Sequence, residues 1–180
     1  EFRRVLFRSK LDSPSVSNPI LGKLLESLRS SYRETFPNYE FKNLLNSEQE
    51  LALEIIEKSR YKEIIKKALA GDVVGWYFPN VLSGFAVPDQ RNLVARLPEN
   101  LILSGPIEST LALIGNPKLL MKSDGKYPNL LCLSAIEPES SDEKHFFYFY
   151  EAYGWNLNFN RRSMVGAVSE YYAGGITVTL

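Results

Sequence analysis

The chain has 180 residues, 44% hydrophobic and 23% charged, with 21 basic residues against 21 acidic ones. That composition fits a soluble globular protein able to bury a sizeable core; the missing positive excess argues against a general nucleic-acid binder, and no apolar run reaches the roughly 18–20 residues that span a bilayer. The single cysteine, Cys132, excludes an internal disulfide and reads as an inert buried thiol in an apolar run, so a cytoplasmic location is expected.

The string Glu1-Phe2-Arg3-Arg4-Val5-Leu6-Phe7-Arg8-Ser9 reads as a non-native, adaptor-derived segment and is set aside from the fold. It is expected to make little contact with the rest. Without Glu1, Arg3, Arg4 and Arg8, the 21 basic and 21 acidic residues become 18 and 20. Residues 10–17 read as a linker, and 18–180 as one α+β domain truncated at one or both ends, with a helical part at 18–70 and a sheet part at 72–180.

Asn18-Pro19 is a helix start, an N-cap residue followed by Pro where its missing N–H does no harm. Ile20, Leu21, Leu24, Leu25, Leu28 and Tyr32 follow at helical spacing, with Lys23, Glu26, Arg29, Ser30 and Arg33 on the other face. Ser47 and Glu50 form a capping box. An apolar stripe from Leu51 through Ile55, Ile56, Ile64, Ile65, Ala68 and Leu69 then predicts a second helix, bent near Ser59-Arg60 and capped by Gly71. Residues 18–70 are thus expected as a helical hairpin, with Ile55 and Ile65 buried against the sheet. Lys58, Arg60, Lys62, Lys66 and Lys67 read as a solvated face laced with Glu54, Glu57 and Glu63.

Beyond Gly71 glycines and aromatics concentrate. Strands are predicted at 73–78, 81–87 and 101–103. A short helix at 107–114 follows, opened by Pro106 and Glu108; no phosphate-binding glycine motif accompanies it. Residues 118–122 and 129–136 flank a hairpin turn at Asp124-Gly125, and 137–144 is an exposed acidic loop. The stretch 145–155 holds seven aromatics among eleven residues. Neither of its period-two faces is polar, which predicts a strand covered on both sides. Residues 156–162 read as a polar connection, 164–172 as helix or strand, and 176–180 as a last strand. The fold class is α+β, an N-terminal helical hairpin packed on a mainly antiparallel sheet.

Chemistry-bearing residues are few. His145 is the only histidine, so no multi-histidine metal site exists, and no cofactor is expected. Glu151, a carboxylate in line with aromatics, needs a compensating cation if buried; Arg161 or Arg162 is predicted within ion-pair distance of it. Glu151 and His145 are the candidate acid–base residues. Tyr150, Tyr153, Trp155, Arg161 and Arg162 are the candidate ligand-binding residues. Three readings follow. The first is a non-catalytic binding or protein-interaction domain with a protein or small-molecule partner, binding neither nucleic acid nor membrane. The second is a small enzyme using Glu151 as acid or base, with Arg161 or Arg162 holding an anionic substrate. The third is a structural fragment of a larger protein.

Overall fold

Helix α1 (Asn18–Thr35) buries Leu21, Leu25, Leu28 and Tyr32, the 4-3-4 spacing that puts one stripe on one side of a helix. Each such burial stabilises by about 1.5–3 kcal/mol. The stripe packs on helix α4 (Pro106–Gly115) and on strand β2 (Phe41–Asn43), and Ser31 Oγ donates to the Ile114 carbonyl across the helix pair at 2.7 Å. The structure, a computed structural model, describes residues 5–9, 18–45, 52–121, 130–163 and 172–179.

The class is α+β, and the strand pairs are mainly antiparallel. One sheet joins β1 (Val5–Ser9), β4 (Val73–Phe78), β11 (Ile176–Thr179) and β5 (Ile102–Leu103), in the order β1-β4-β11-β5 and antiparallel throughout. A second joins β6 (Leu130–Cys132), β8 (Phe146–Tyr153), β9 (Asn156–Ser163), β10 (Tyr172–Gly174) and β2, in the order β10-β6-β8-β9-β2. There the outer pairs β10/β6 and β2/β9 are parallel. Strands β3 (Leu53–Ile55) and β7 (Ile136–Pro138) form a separate antiparallel pair.

Several elements depart from the sequence expectation. The expected hairpin of 18–70 is two helices, α1 and α2 (Tyr61–Ala70), separated by strands β2 and β3. The capping box at Ser47 and Glu50 lies outside the described residues, as does the Asp124-Gly125 turn. Ile65 is buried, whereas Ile55 sits half-buried on β3. Residues 81–84 are turn, and Val87, expected to end a strand, begins helix α3 (Val87–Val94), with Pro88 in its first turn.

Arg60 is not on a solvated helix face. It adopts φ 60° just before α2, a conformation that costs a non-glycine residue about 1–2 kcal/mol. Its guanidinium donates to the carbonyls of Pro98 at 2.7 Å, Leu97 at 2.9 Å and Leu101 at 3.1 Å, which offsets that cost and clamps the segment after α3. Two of the flanking lysines are also occupied, Lys62 on Glu57 and Lys67 on Thr179 Oγ1.

The aromatic strand β8 is covered on both sides, as its composition predicts. Tyr148, Tyr150 and Ala152 face the main core. Phe147 and Phe149 face a smaller cluster with Val87, Leu130, Cys132 and Tyr172. Burial pushes the Cys132 thiol up to about 12, so it is not a thiolate nucleophile near neutrality.

Between the sheets, the first turn of α4 is entirely buried. Three consecutive polar residues there each hold a tyrosine from a different element. Tyr61 of α2 donates to Glu108 Oε2 at 2.8 Å. Ser109 Oγ donates to Tyr77 Oη of β4 at 3.1 Å. Thr110 Oγ1 shares a hydrogen with Tyr150 Oη of β8 at 2.6 Å. Glu108 Oε1 also accepts from Gly105 N–H at 2.6 Å and Thr177 Oγ1 at 3.2 Å. Gly105 is required here, since a Cβ would stand 2.5 Å from the Tyr61 ring.

Residues 1–9 were expected to stay apart, yet Val5–Ser9 pairs with β4 along its whole length, Val5 opposite Tyr77 and Ser9 opposite Val73, and packs against α4. Unpaired, that edge of β4 would expose a row of backbone donors and acceptors. Deleting residues 1–9 is expected to lower the melting temperature by several degrees; an unchanged value in a calorimetric scan would show that β1 adds nothing.

Burial raises the Glu108 carboxyl to about 7, against the donors at Gly105, Tyr61 and Thr177, which lower it. The ordinary value, 4.5, stands for the unfolded chain. Between about 4.5 and 7 the folded state therefore keeps a proton that the unfolded chain has released. This contribution to stability is full below the lower value and is lost as pH rises through the upper one. Glu108→Gln cannot titrate and is expected to flatten the fall in urea-unfolding free energy across that window. An unchanged slope would assign the titration to another group.

Candidate functional site

The turn between β8 and β9 has two residues, Gly154 and Trp155, with Tyr153 opposite Asn156. Gly154 takes φ 61°, the first-position glycine that a II′ hairpin turn favours. The turn is pinned from two directions. Tyr32 of α1 donates its hydroxyl to the Trp155 carbonyl at 2.5 Å. Asn156 Oδ1 accepts from Glu40 N–H at 3.0 Å, and Leu157 N–H donates to the Glu40 carbonyl at 3.1 Å, where β2 begins to run parallel to β9.

Aromatic packing joins the same parts. Phe36 lies 4.9 Å from the Tyr32 ring and 6.0 Å from Trp155. Tyr39 stacks on Trp155 at 5.7 Å, 25° from parallel. Tyr39 and Trp155 nonetheless remain 38% and 52% exposed, and Tyr153 67%. Beside them opens a groove of about 630 Å3, lined by Arg29 and Arg33 of α1, by residues 37–41, and by Asn156. Arg29 Nη1 donates to both Glu26 carboxylate oxygens, at 2.8 and 3.0 Å, and Glu40 is paired with Lys42 at 2.9 Å. Arg33 has no ion-pair partner among the described residues. The groove thus has a pinned backbone, Tyr39 in its lining with Trp155 stacked on it, and two guanidiniums among its lining residues.

The residues singled out from sequence are dispersed. Trp155 and Tyr153 stand at the exposed turn, but Tyr150 is fully buried on Thr110 and touches no surface. The expected Glu151–arginine pair does not form. Residues 156–163 are a strand rather than a connection, and their register sets Asn158 opposite Glu151, Arg161 opposite Tyr148 and Arg162 opposite Phe147. Three residues along a strand is about 10 Å, so neither guanidinium reaches back.

Arg161 instead forks onto Glu143 at 2.8 and 3.0 Å and lies over the Phe146 ring. Arg162 is exposed, over Phe149. Glu151 is half-buried near the turn. His145 is exposed in the turn before β8, its ring 4.2 Å from Phe146. Among the described residues no group of three or more His, Cys, Asp or Glu is placed to hold a metal ion.

Arg29, Arg33 and Tyr39 were not singled out in the sequence as site residues. Their signal is faint: two arginines one helical turn apart, then an aromatic a few residues beyond the helix end. Only the distant contact with Trp155 makes them a site.

Tyr32→Phe removes the bond that ties α1 to the turn. It is expected to reduce stability by about 1 kcal/mol, the usual loss for one such hydrogen bond. Urea unfolding followed by Trp155 emission, in a Trp76→Phe background, measures it. An unaltered midpoint would mean that ring packing alone positions the turn.

Neither a protein-family model, nor a curated protein, nor a solved structure matches this chain, and the groove is therefore read from its own residues.

Proposed function

We propose that the chain is a non-catalytic protein-interaction domain, working in the cytoplasm, that holds a partner segment in the groove at the end of α1. One observation carries the reading: exposed Trp155 and Tyr39 are stacked on a pinned backbone beside Arg29 and Arg33. Trp, Tyr and Arg are the residues most enriched among those that dominate interface energies, and a pre-ordered surface loses little entropy on binding. The groove is open to solvent rather than enclosed, which suits a segment of a partner chain better than a small molecule, whose sites usually enclose most of the ligand. No helix among the described residues is long and apolar enough to cross a membrane.

Selection from a library of displayed random peptides tests the reading. Clones recovered on the wild-type chain are expected to bind at least about tenfold more weakly, or about 1.4 kcal/mol, after Trp155→Ala or Tyr39→Ala. Melting temperatures should be little altered. If no clone is enriched, or if every clone ignores both substitutions, the groove is not an interaction surface.

A further inference from the structure

We infer that the segment held in the groove is acidic, with Arg29 and Arg33 receiving carboxylates spaced as acidic–x–acidic. The inference rests on the interaction-domain reading and adds the chemistry of the partner.

Charge decides the sign. The lining holds two guanidiniums against one carboxylate, and Lys42, paired with that carboxylate, Glu40, adds a third cation beside it. Arg33 has no acidic partner among the described residues. Arg29 has one, but both members of the Glu26 pair are at least half exposed, and exposed pairs of this kind contribute little. A carboxylate held beside the aromatic pair can displace Glu26 at small cost. The helix dipole favours a cation near the C-terminal end of α1, which accounts for Arg33 but not for two guanidiniums in the lining of one groove.

Spacing decides the pattern. Arg29 and Arg33 are four residues apart, so they share a face about 6 Å apart along the axis. In an extended peptide, side chains two residues apart share a face about 6.6 Å apart. An acidic–x–acidic segment therefore presents its carboxylates, each able to accept paired N–H bonds, at nearly the axial interval of the two arginines. A flanking apolar side chain then meets Tyr39 and Trp155. A nucleic-acid strand fits less well, because its phosphates need a longer track of cations than this lining supplies.

The test uses labelled chains of known composition and fluorescence anisotropy. A Glu/Tyr copolymer is expected to bind the wild-type chain, and a Lys/Tyr copolymer not to. Arg29→Gln with Arg33→Gln should weaken Glu/Tyr binding at least about tenfold, as should raising the salt to screen the charges; Arg29→Lys with Arg33→Lys should retain part of it. All four changes are at exposed positions, and an unchanged melting temperature excludes misfolding. Glu/Tyr binding that ignores the arginines, no binding of that copolymer at all, or tighter arginine-dependent binding of an oligothymidylate would each overturn the inference. If displayed peptides bind through Trp155 but lack acidic residues and ignore the arginine variants, the acidic assignment falls and the interaction domain stands. If nothing binds through Trp155, both fall.

Discussion

The buried first turn of α4 is the constraint on which the rest depends. Consecutive residues on a helix project about 100° apart, so Glu108, Ser109 and Thr110 fan out toward three different neighbours. Each meets a tyrosine: Tyr61 from α2, Tyr77 from one sheet, Tyr150 from the other. A buried hydroxyl or carboxyl without a partner is costly; an apolar substitute at Ser109 or Thr110 would take a partner from a buried tyrosine, and one at Glu108 would leave the Tyr61 hydroxyl with the Ile107 N–H but no acceptor. The polar triplet therefore fixes not only that two sheets and a helix pack together, but in which rotation about α4. Burial also pushes the three tyrosine hydroxyls above their ordinary range, so they remain protonated throughout the physiological range.

From that hub, order reaches the groove by two routes. Helix α1 packs along α4, which sets the position of its last turn and of Tyr32. Strand β8 is anchored at Tyr150 and runs outward to its turn at Gly154-Trp155. The routes meet where Tyr32 donates to the Trp155 carbonyl. Two elements far apart in sequence thus close a surface that neither forms alone. The groove rests on the part-buried Tyr32 bond and, beyond it, on the fully buried Thr110–Tyr150 contact, although the side chains that line it are mostly in water.

The sequence carried the fold wherever local pattern and burial coincide. The 4-3-4 stripe of α1, the two apolar faces of β8, the short β4 and the Pro-led start of α4 are all visible from spacing. Strand β9 had its pattern too, with Leu157 and Phe159 buried between half-buried Asn156, Asn158 and Asn160. Asparagine is depleted in strands, and that propensity concealed the period of two. Strand β3 shows the reverse: its stretch belongs to a helical stripe by spacing, yet pairing with β7 takes it. No local signal announces that partner.

Missing β9 also accounts for the misplaced ion pair. A connection can fold an arginine back to Glu151, whereas a strand in fixed register cannot, and a two-residue turn with Gly154 first leaves the register no freedom. The same turn explains why Trp155 is exposed. Its carbonyl is taken by Tyr32 and its backbone by the hairpin, so the indole cannot retreat into a core already filled by Phe36 and Tyr32. Tyr39 and Phe36 cover part of the ring, and Trp155 keeps about half of its surface exposed. An aromatic side chain held this way has already lost the rotational freedom that binding would otherwise remove. The exposure of Trp155 and its contacts with Tyr32, Phe36 and Tyr39 are thus consequences of a single hairpin register.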